Sequence, residues 1–126
     1  MVKVLLIEDN KTFREMFKKM LVSRFLDVSI VEAENCSDGL ASVEIDHPDL
    51  IFTDIKLPDG NGLECIEKIK AIYPKIIIVV LSLSDFSEYD LAAKDAGALH
   101  YISKYSLNEP WVTKLLETLF LGERFA

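Results

Sequence analysis

Four short apolar runs in this sequence each end in residues able to do chemistry. Val4-Leu5-Leu6-Ile7 runs into Glu8-Asp9, and Ile51-Phe52-Thr53 runs into Asp54. The run 76–81 ends in Ser82, and Leu99-His100-Tyr101-Ile102 ends in Ser103-Lys104. Brought together, Glu8, Asp9 and Asp54 repel one another, and burial raises the cost of each charge. A hard dication relieves that repulsion. Oxygen-only ligands in an open, incompletely coordinated site suit Mg²⁺, which keeps several waters and often binds phosphate oxygens. With Lys104 included, the formal charges of such a site sum to zero. An Asp carboxylate is also a competent nucleophile toward phosphorus and forms an aspartyl-phosphate. Metal and Lys104 would neutralise the transferring phosphoryl oxygens, and the Ser82 hydroxyl would donate to one of them. Taken singly, each residue has a plainer reading: Glu8-Asp9 as helix caps, Lys104 as a surface charge, Ser82 as a turn residue, Asp54 as the residue before a Pro/Gly turn. Their joint placement carries the argument.

That placement requires parallel strands. Apolar strand-like runs alternate with segments of helical period five times. The first strand, Val2 to Ile7, is continuous and apolar, as when both faces are buried. Asn10 caps a helix whose Phe13, Met16, Phe17, Met20, Leu21 and Arg24 form one stripe, with Lys11, Arg14, Lys18 and Lys19 outward. The second strand, Asp27 to Ala33, alternates and reads as a sheet edge. Asn35 caps a second helix carrying Leu40, Val43 and Glu44, which His47-Pro48 ends. The third strand is Asp49 to Thr53. A third helix covers about Gly62 to Tyr73 and is closed by Pro74. The β-branched fourth strand runs from Lys75 to Leu81. Asp85-Phe86-Ser87-Glu88 reads as a capping box for a fourth helix ended by Gly97. The fifth strand covers Ala98 to Ile102. The fifth helix starts near Pro110 and ends at Gly122. These units predict an α/β fold: a flavodoxin-like (βα)5, doubly wound, five-stranded parallel sheet of order 2-1-3-4-5. In that order the four strands with functional ends are neighbours. Residues 1–122 form the domain and 123–126 a C-terminal stub.

Length and composition are consistent with this. A chain of 126 residues, half of them hydrophobic, supports one core rather than a disordered segment. A net charge of −7 disfavours nucleic acid and anionic membranes as partners. The first apolar run is too short and too soon acidic for a signal peptide or membrane span, so a cytoplasmic location is expected. The two cysteines, Cys36 and Cys65, lie in no metal-type or redox-type spacing and are expected to be reduced thiols. His47 and His100 are expected to be structural.

From Lys3 to about Leu121 the sequence resembles the receiver domain of two-component response regulators. The matching stretches are Leu6-Ile7-Glu8-Asp9-Asn10, residues 49–62 around Asp54, the strand end at Ser82, Asp95-Ala96-Gly97-Ala98, and Tyr101-Ile102-Ser103-Lys104. The resemblance implies that Asp54 is phosphorylated by a sensor histidine kinase or a histidine phosphotransfer protein. It implies Glu8, Asp9 and Asp54 as Mg²⁺ carboxylates, with the backbone carbonyl of Lys56 as a further ligand. It places Ser82 and Tyr101 as a hydroxyl–aromatic switch pair, and Lys104 as the family's lysine. Output would pass through the fourth helix, fifth strand and fifth helix, residues 85–121, a face that is also a possible homodimer contact. The implied role is a signalling phosphoacceptor rather than a turnover enzyme, regulating transcription or a protein partner. Two positions depart from the pattern. Leu83 follows Ser82 where the family usually has a small residue, and its bulk is expected to narrow access to Asp54. Tyr105 follows Lys104 where the family usually has Pro, which removes the basis for a cis bond there.

Two other chemistries fit less well. A phosphatase of the haloacid dehalogenase type wants a second Asp two residues after the nucleophile, where this chain has Lys56. A flavin module wants a Ser/Thr/Gly-rich loop after the first strand, where Glu8-Asp9 would repel the flavin phosphate.

Overall fold

In a computed structural model, residues 1–83 and 87–121 are described. Five strands, β1 (Val2–Ile7), β2 (Val28–Ala33), β3 (Leu50–Thr53), β4 (Ile77–Ser82) and β5 (His100–Ser103), alternate with five helices. The helices are α1 (Lys11–Arg24), α2 (Cys36–Asp46), α3 (Gly62–Ile72), α4 (Ser87–Ala96) and α5 (Pro110–Leu121). The sheet order is β2-β1-β3-β4-β5, and every pairing is parallel. This is the flavodoxin-like order expected from the sequence. The two-residue segments Lys56–Leu57 and Gly60–Asn61 pair antiparallel in the loop after β3. The sequence-predicted capping box 85–88 and the end of the chain at 122–126 fall wholly or partly outside the described residues. Among the described residues no helix is long and apolar enough to cross a membrane.

Side-chain alternation along the strands fills two cores. Val4, Leu6 and Phe52 point to one face, under α1 and α5, with Phe17, Leu21, Leu116 and Phe120. Leu5, Ile7 and Ile51 point to the other, with Val43 of α2, Ile66 and Ile69 of α3, and Ala93 of α4. Both faces of β1 and β3 are therefore buried, which explains their unbroken apolar sequences. Phe52 packs edge-on to Phe17 (centroids 5.0 Å apart), and Phe25 stacks on Phe120 at 4.3 Å. The edge strand β2 is mostly half-buried, as its alternation implied.

Several expectations are corrected. Arg14, read as outward, is 8% exposed, whereas Met16 (48%) and Arg24 face solvent. Glu44 is exposed too. The inward stripe of α1 is Arg14, Phe17 and Leu21, at helical spacing of three and four. Ser82 lies inside β4 rather than after it, and β4 starts at Ile77. As expected, α2 ends at His47-Pro48; the left-handed backbone of His47 (φ 49°) accomplishes the turn. The two cysteines are not free thiols: Cys36 and Cys65 form a disulfide, with Cα atoms 5.9 Å apart. Their separation of 29 residues in sequence hid this, because only the packing of α2 beside α3 makes them neighbours.

Candidate functional site

The carboxyl ends of β1, β3 and β5 meet at one charged cluster. Glu8 follows β1 and is 2% exposed. The parallel register pairs Ile7 with Thr53, so the residues after each strand, Glu8 and Asp54, come side by side. The Asp54 N–H donates to the Ile7 carbonyl at 3.2 Å and continues the ladder one step beyond the strands. Carboxylate oxygens of Glu8, Asp9 and Asp54 lie within 4.8 Å of one another. Lys104, in the turn after β5, bridges two of them: its Nζ donates to Glu8 Oε1 at 2.5 Å and to Asp54 Oδ2 at 2.9 Å. The same ammonium sits 4.3 Å from the centroid of the Phe13 ring, a cation–π contact that seats it from the α1 side.

Asp54 is held from three directions. The Ile55 N–H donates to its Oδ1 at 2.7 Å, Lys104 takes its Oδ2, and its backbone is clamped below α3. The clamp depends on Gly62, the first residue of α3. A Cβ there would meet the Asp54 carbonyl oxygen and lie 2.8 Å from the Ile55 Cα. Asn61 caps that helix by accepting the Leu63 N–H at 2.8 Å. Lys56 stands in the short antiparallel pairing just beyond, opposite Asn61.

Arg14 is the supporting residue that sequence reading missed. Its Nη1 donates to the Glu8 carbonyl at 2.7 Å, while Nε and Nη2 reach Glu32 and Glu34 at 3.1 and 3.3 Å. The spacing to Phe17 and Leu21 was the available signal, and its charge argued the other way. A buried guanidinium is tolerated because its donors are matched to acceptors.

Burial is the main influence on Glu8. It pushes the carboxyl up to about 7 despite the opposing hydrogen bond and charge of Lys104. Burial alone would lower Lys104, but Glu8 and Asp54 outweigh it and hold the ammonium above its ordinary value. Three acids against one base leave an excess of negative charge, and Glu8 Oε2 is buried with no hydrogen-bond partner among the described residues. An unsatisfied buried oxygen carries a desolvation cost. An all-oxygen set aimed at a partly open crevice, with that oxygen spare, fits a divalent cation.

The remaining expected positions lie along the same edge. Ser82 ends β4 and is 7% exposed, and it pairs in register with Ser103 of β5. Tyr101 is half-buried on β5 and packs against the core on the α2–α4 face. Leu83 is 59% exposed. Tyr105 is 74% exposed in a 3-10 turn, and no peptide bond among the described residues is cis.

Comparison with known proteins agrees with this geometry. The response regulator receiver domain family matches residues 4–115. The KDP operon transcriptional regulatory protein KdpE of Escherichia coli K12 is 35% identical over 104 residues, covering 82% of this chain and 45% of that protein. A protein-glutamate methylesterase/protein-glutamine glutaminase of Paramagnetospirillum magneticum is 38% identical over 108 residues, covering 82% of this chain and 30% of that protein. The chain thus spans less than half the length of these relatives, and the methylesterase name describes a protein of which it matches under a third. The phosphorylated cyanobacterial phytochrome response regulator RcpA superposes with a TM-score of 0.80 at 26% identity, covering 96% of this chain and 94% of that one. With the family pattern running through all five strands and across the acidic cluster, the chain belongs to the receiver domains of two-component response regulators.

Proposed function

We propose that Asp54 is the phosphoacceptor of this receiver domain and that the Glu8–Asp9–Asp54 cluster holds Mg²⁺, with the Lys56 carbonyl as a further ligand. The observation that carries this reading is the buried Glu8 Oε2, without a hydrogen-bond partner among the described residues, beside two further carboxylates and Lys104. The donor is a phosphohistidine on a sensor histidine kinase or histidine phosphotransfer protein. The Asp54 carboxylate attacks phosphorus, an O–P bond forms, the P–N bond breaks, and the imidazole leaves and takes up a proton. Bound Mg²⁺ would supply positive charge to the phosphoryl oxygens. Asp54 is oriented in advance by Ile55 N–H and Lys104, so the attack needs little reorganisation. Lys104 keeps its charge at neutral pH and can follow the developing negative charge from Asp54 to the phosphoryl group.

The new phosphoryl oxygens then offer acceptors to the Ser82 hydroxyl at the neighbouring strand end. Movement of Ser82 leaves space for the half-buried Tyr101, and the face of α4, β5 and α5 shifts its population toward the output form. Exposed Leu91 of α4, Leu99 just before β5 and Trp111 of α5 supply apolar surface for a protein partner or a second copy. The domain works in the cytoplasm and touches neither nucleic acid nor membrane itself.

Intact mass after incubation with Mg²⁺ and acetyl phosphate tests this reading. One phosphoryl adduct is expected. It should require Mg²⁺ and be absent in Asp54→Ala. An adduct that survives in Asp54→Ala would overturn the assignment.

A further inference from the structure

The loop that carries Asp54 and Lys56 is fastened a second time on its outer side. Asp59, from the same loop, accepts the Cys36 N–H on Oδ1 and the Ser37 N–H on Oδ2, both at 2.9 Å. Those N–H groups belong to the first turn of α2, where intrahelical partners are missing. The residue at that first position, Cys36, is bonded to Cys65 in the second turn of α3. The first turn of α2 is thus tied to α3 by a covalent bond and to the Asp54 loop by two hydrogen bonds. Cys65 is 1% exposed, Cys36 is half-buried, and both line an open hollow of about 230 Å³ with Leu40, Asp59, Glu64 and Lys68. The chain's two cysteines are both used in this one bond.

We propose that Cys36–Cys65 is a reversible redox clamp on the phosphoacceptor loop, closed as the disulfide and released by a dithiol reductant. The proposal rests on the phosphoacceptor reading and on the cytoplasmic location that goes with it. Disulfides in that compartment are mostly transient and redox-sensing. Release proceeds by thiol–disulfide exchange. One reductant thiolate attacks Cys36 Sγ, the Cys36–Cys65 bond breaks, and Cys65 leaves as a thiolate that takes up a proton. The second reductant thiol attacks the mixed disulfide and frees Cys36. The reductant ends as a disulfide, and two electrons have passed to the protein. Exchange with a protein disulfide runs the same steps backward and closes the clamp. When open, the first turn of α2 keeps its hydrogen bonds to Asp59 but loses its covalent tie to α3, so the anchor of Asp59 is less fixed. The Lys56 segment, two to three residues away, is then less well placed for a metal ion.

The test compares the disulfide and dithiol forms of the whole chain, prepared with oxidised glutathione or dithiothreitol and verified by thiol alkylation and mass. Mg²⁺ affinity by calorimetry and the rate of adduct formation from acetyl phosphate are measured for each. Reduction is expected to weaken Mg²⁺ binding and slow the adduct together, on the order of tenfold, the size seen when support behind metal ligands is lost. Cys36→Ser should match the reduced form in either buffer. Asp59→Ala should remove most of the difference between the two forms, which a merely stabilising disulfide would not do. Equal affinity and rate in both forms would overturn the clamp and leave the phosphoacceptor reading standing. A disulfide that stays closed in a cytosol-like reduced glutathione buffer would also overturn it, showing a permanent staple. Should Cys36→Ser fail to fold, the comparison of the two wild-type forms decides alone. No adduct in either form would overturn the phosphoacceptor reading and the clamp with it.

Discussion

The two ends of the sheet differ in kind. At the carboxyl end, Lys104 hydrogen-bonds Glu8 and Asp54, and the oxygens of Glu8, Asp9 and Asp54 lie within 4.8 Å of one another. At the amino end lies an open hollow of about 710 Å³, lined by Val43, His47, Pro48, Ile72, Tyr73 and Pro74. It brings together no comparable cluster: among the described residues the only three-carboxylate group is Glu8, Asp9 and Asp54. Strand direction locates the chemistry in this molecule. The connections entering β3 and β4 at the amino end are short turns through Pro48 and Pro74. The connections leaving at the carboxyl end open a crevice between neighbouring strands.

Swapping chemistry between the ends is the strongest test. Asp54→Asn should abolish the phosphoryl adduct in intact-mass measurements, while Tyr73→Ala at the amino-end hollow should leave its rate within about twofold, since it shares no partner with the site. Loss of the adduct in Tyr73→Ala would break the division between the ends. The core between them should instead serve both. Phe52→Ala removes a fully buried ring packed on Phe17 and is expected to cost about 3–5 kcal/mol by denaturant melting, in one transition. Two separate transitions would show that the ends melt independently.

Arg14→Ala sharpens the picture of the carboxyl end. It removes charge-assisted hydrogen bonds and leaves the Glu8 carbonyl without its donor, for about 1.5–3 kcal/mol of stability. A change within experimental error would show that Arg14 is dispensable.

The smallest effect is in pH. Glu8 has a folded value near 7 against an ordinary 4.5, so the metal-free folded state binds more protons than the unfolded state between those values. Stability of the metal-free protein should accordingly fall as pH rises from about 4.5 to 7. Mg²⁺ needs the deprotonated carboxylate. Its apparent affinity should rise up to about tenfold per pH unit below 7 and level off above, with proton release seen by calorimetry in two buffers. A flat affinity from pH 5.5 to 7.5 would remove Glu8 from the metal site.

Much of this was readable in the chain itself. Apolar runs with both faces buried marked β1, β3 and β4. Their terminal residues named the cluster, because parallel strands put like ends together. The alternation in β2 marked the edge. The departures arose where a residue's partner is distant. Arg14 looked outward because charge is normally solvated, and only Glu8, Glu32 and Glu34 around it make burial tolerable. Asp59 looked like one more turn residue, and the N–H groups it caps belong to a helix that starts 23 positions earlier.

Local patterning, which depends on neighbours along the chain, determined the strands, the helices, their caps and the identity of the acids and lysine at the strand ends. What lies across the chain was decided by tertiary structure alone. The packing of α2 against α3 joined Cys36 to Cys65, the register of β1 on β3 set Glu8 beside Asp54, and the fold buried Arg14. Each of these depends on distances between residues far apart in sequence, which no local period encodes.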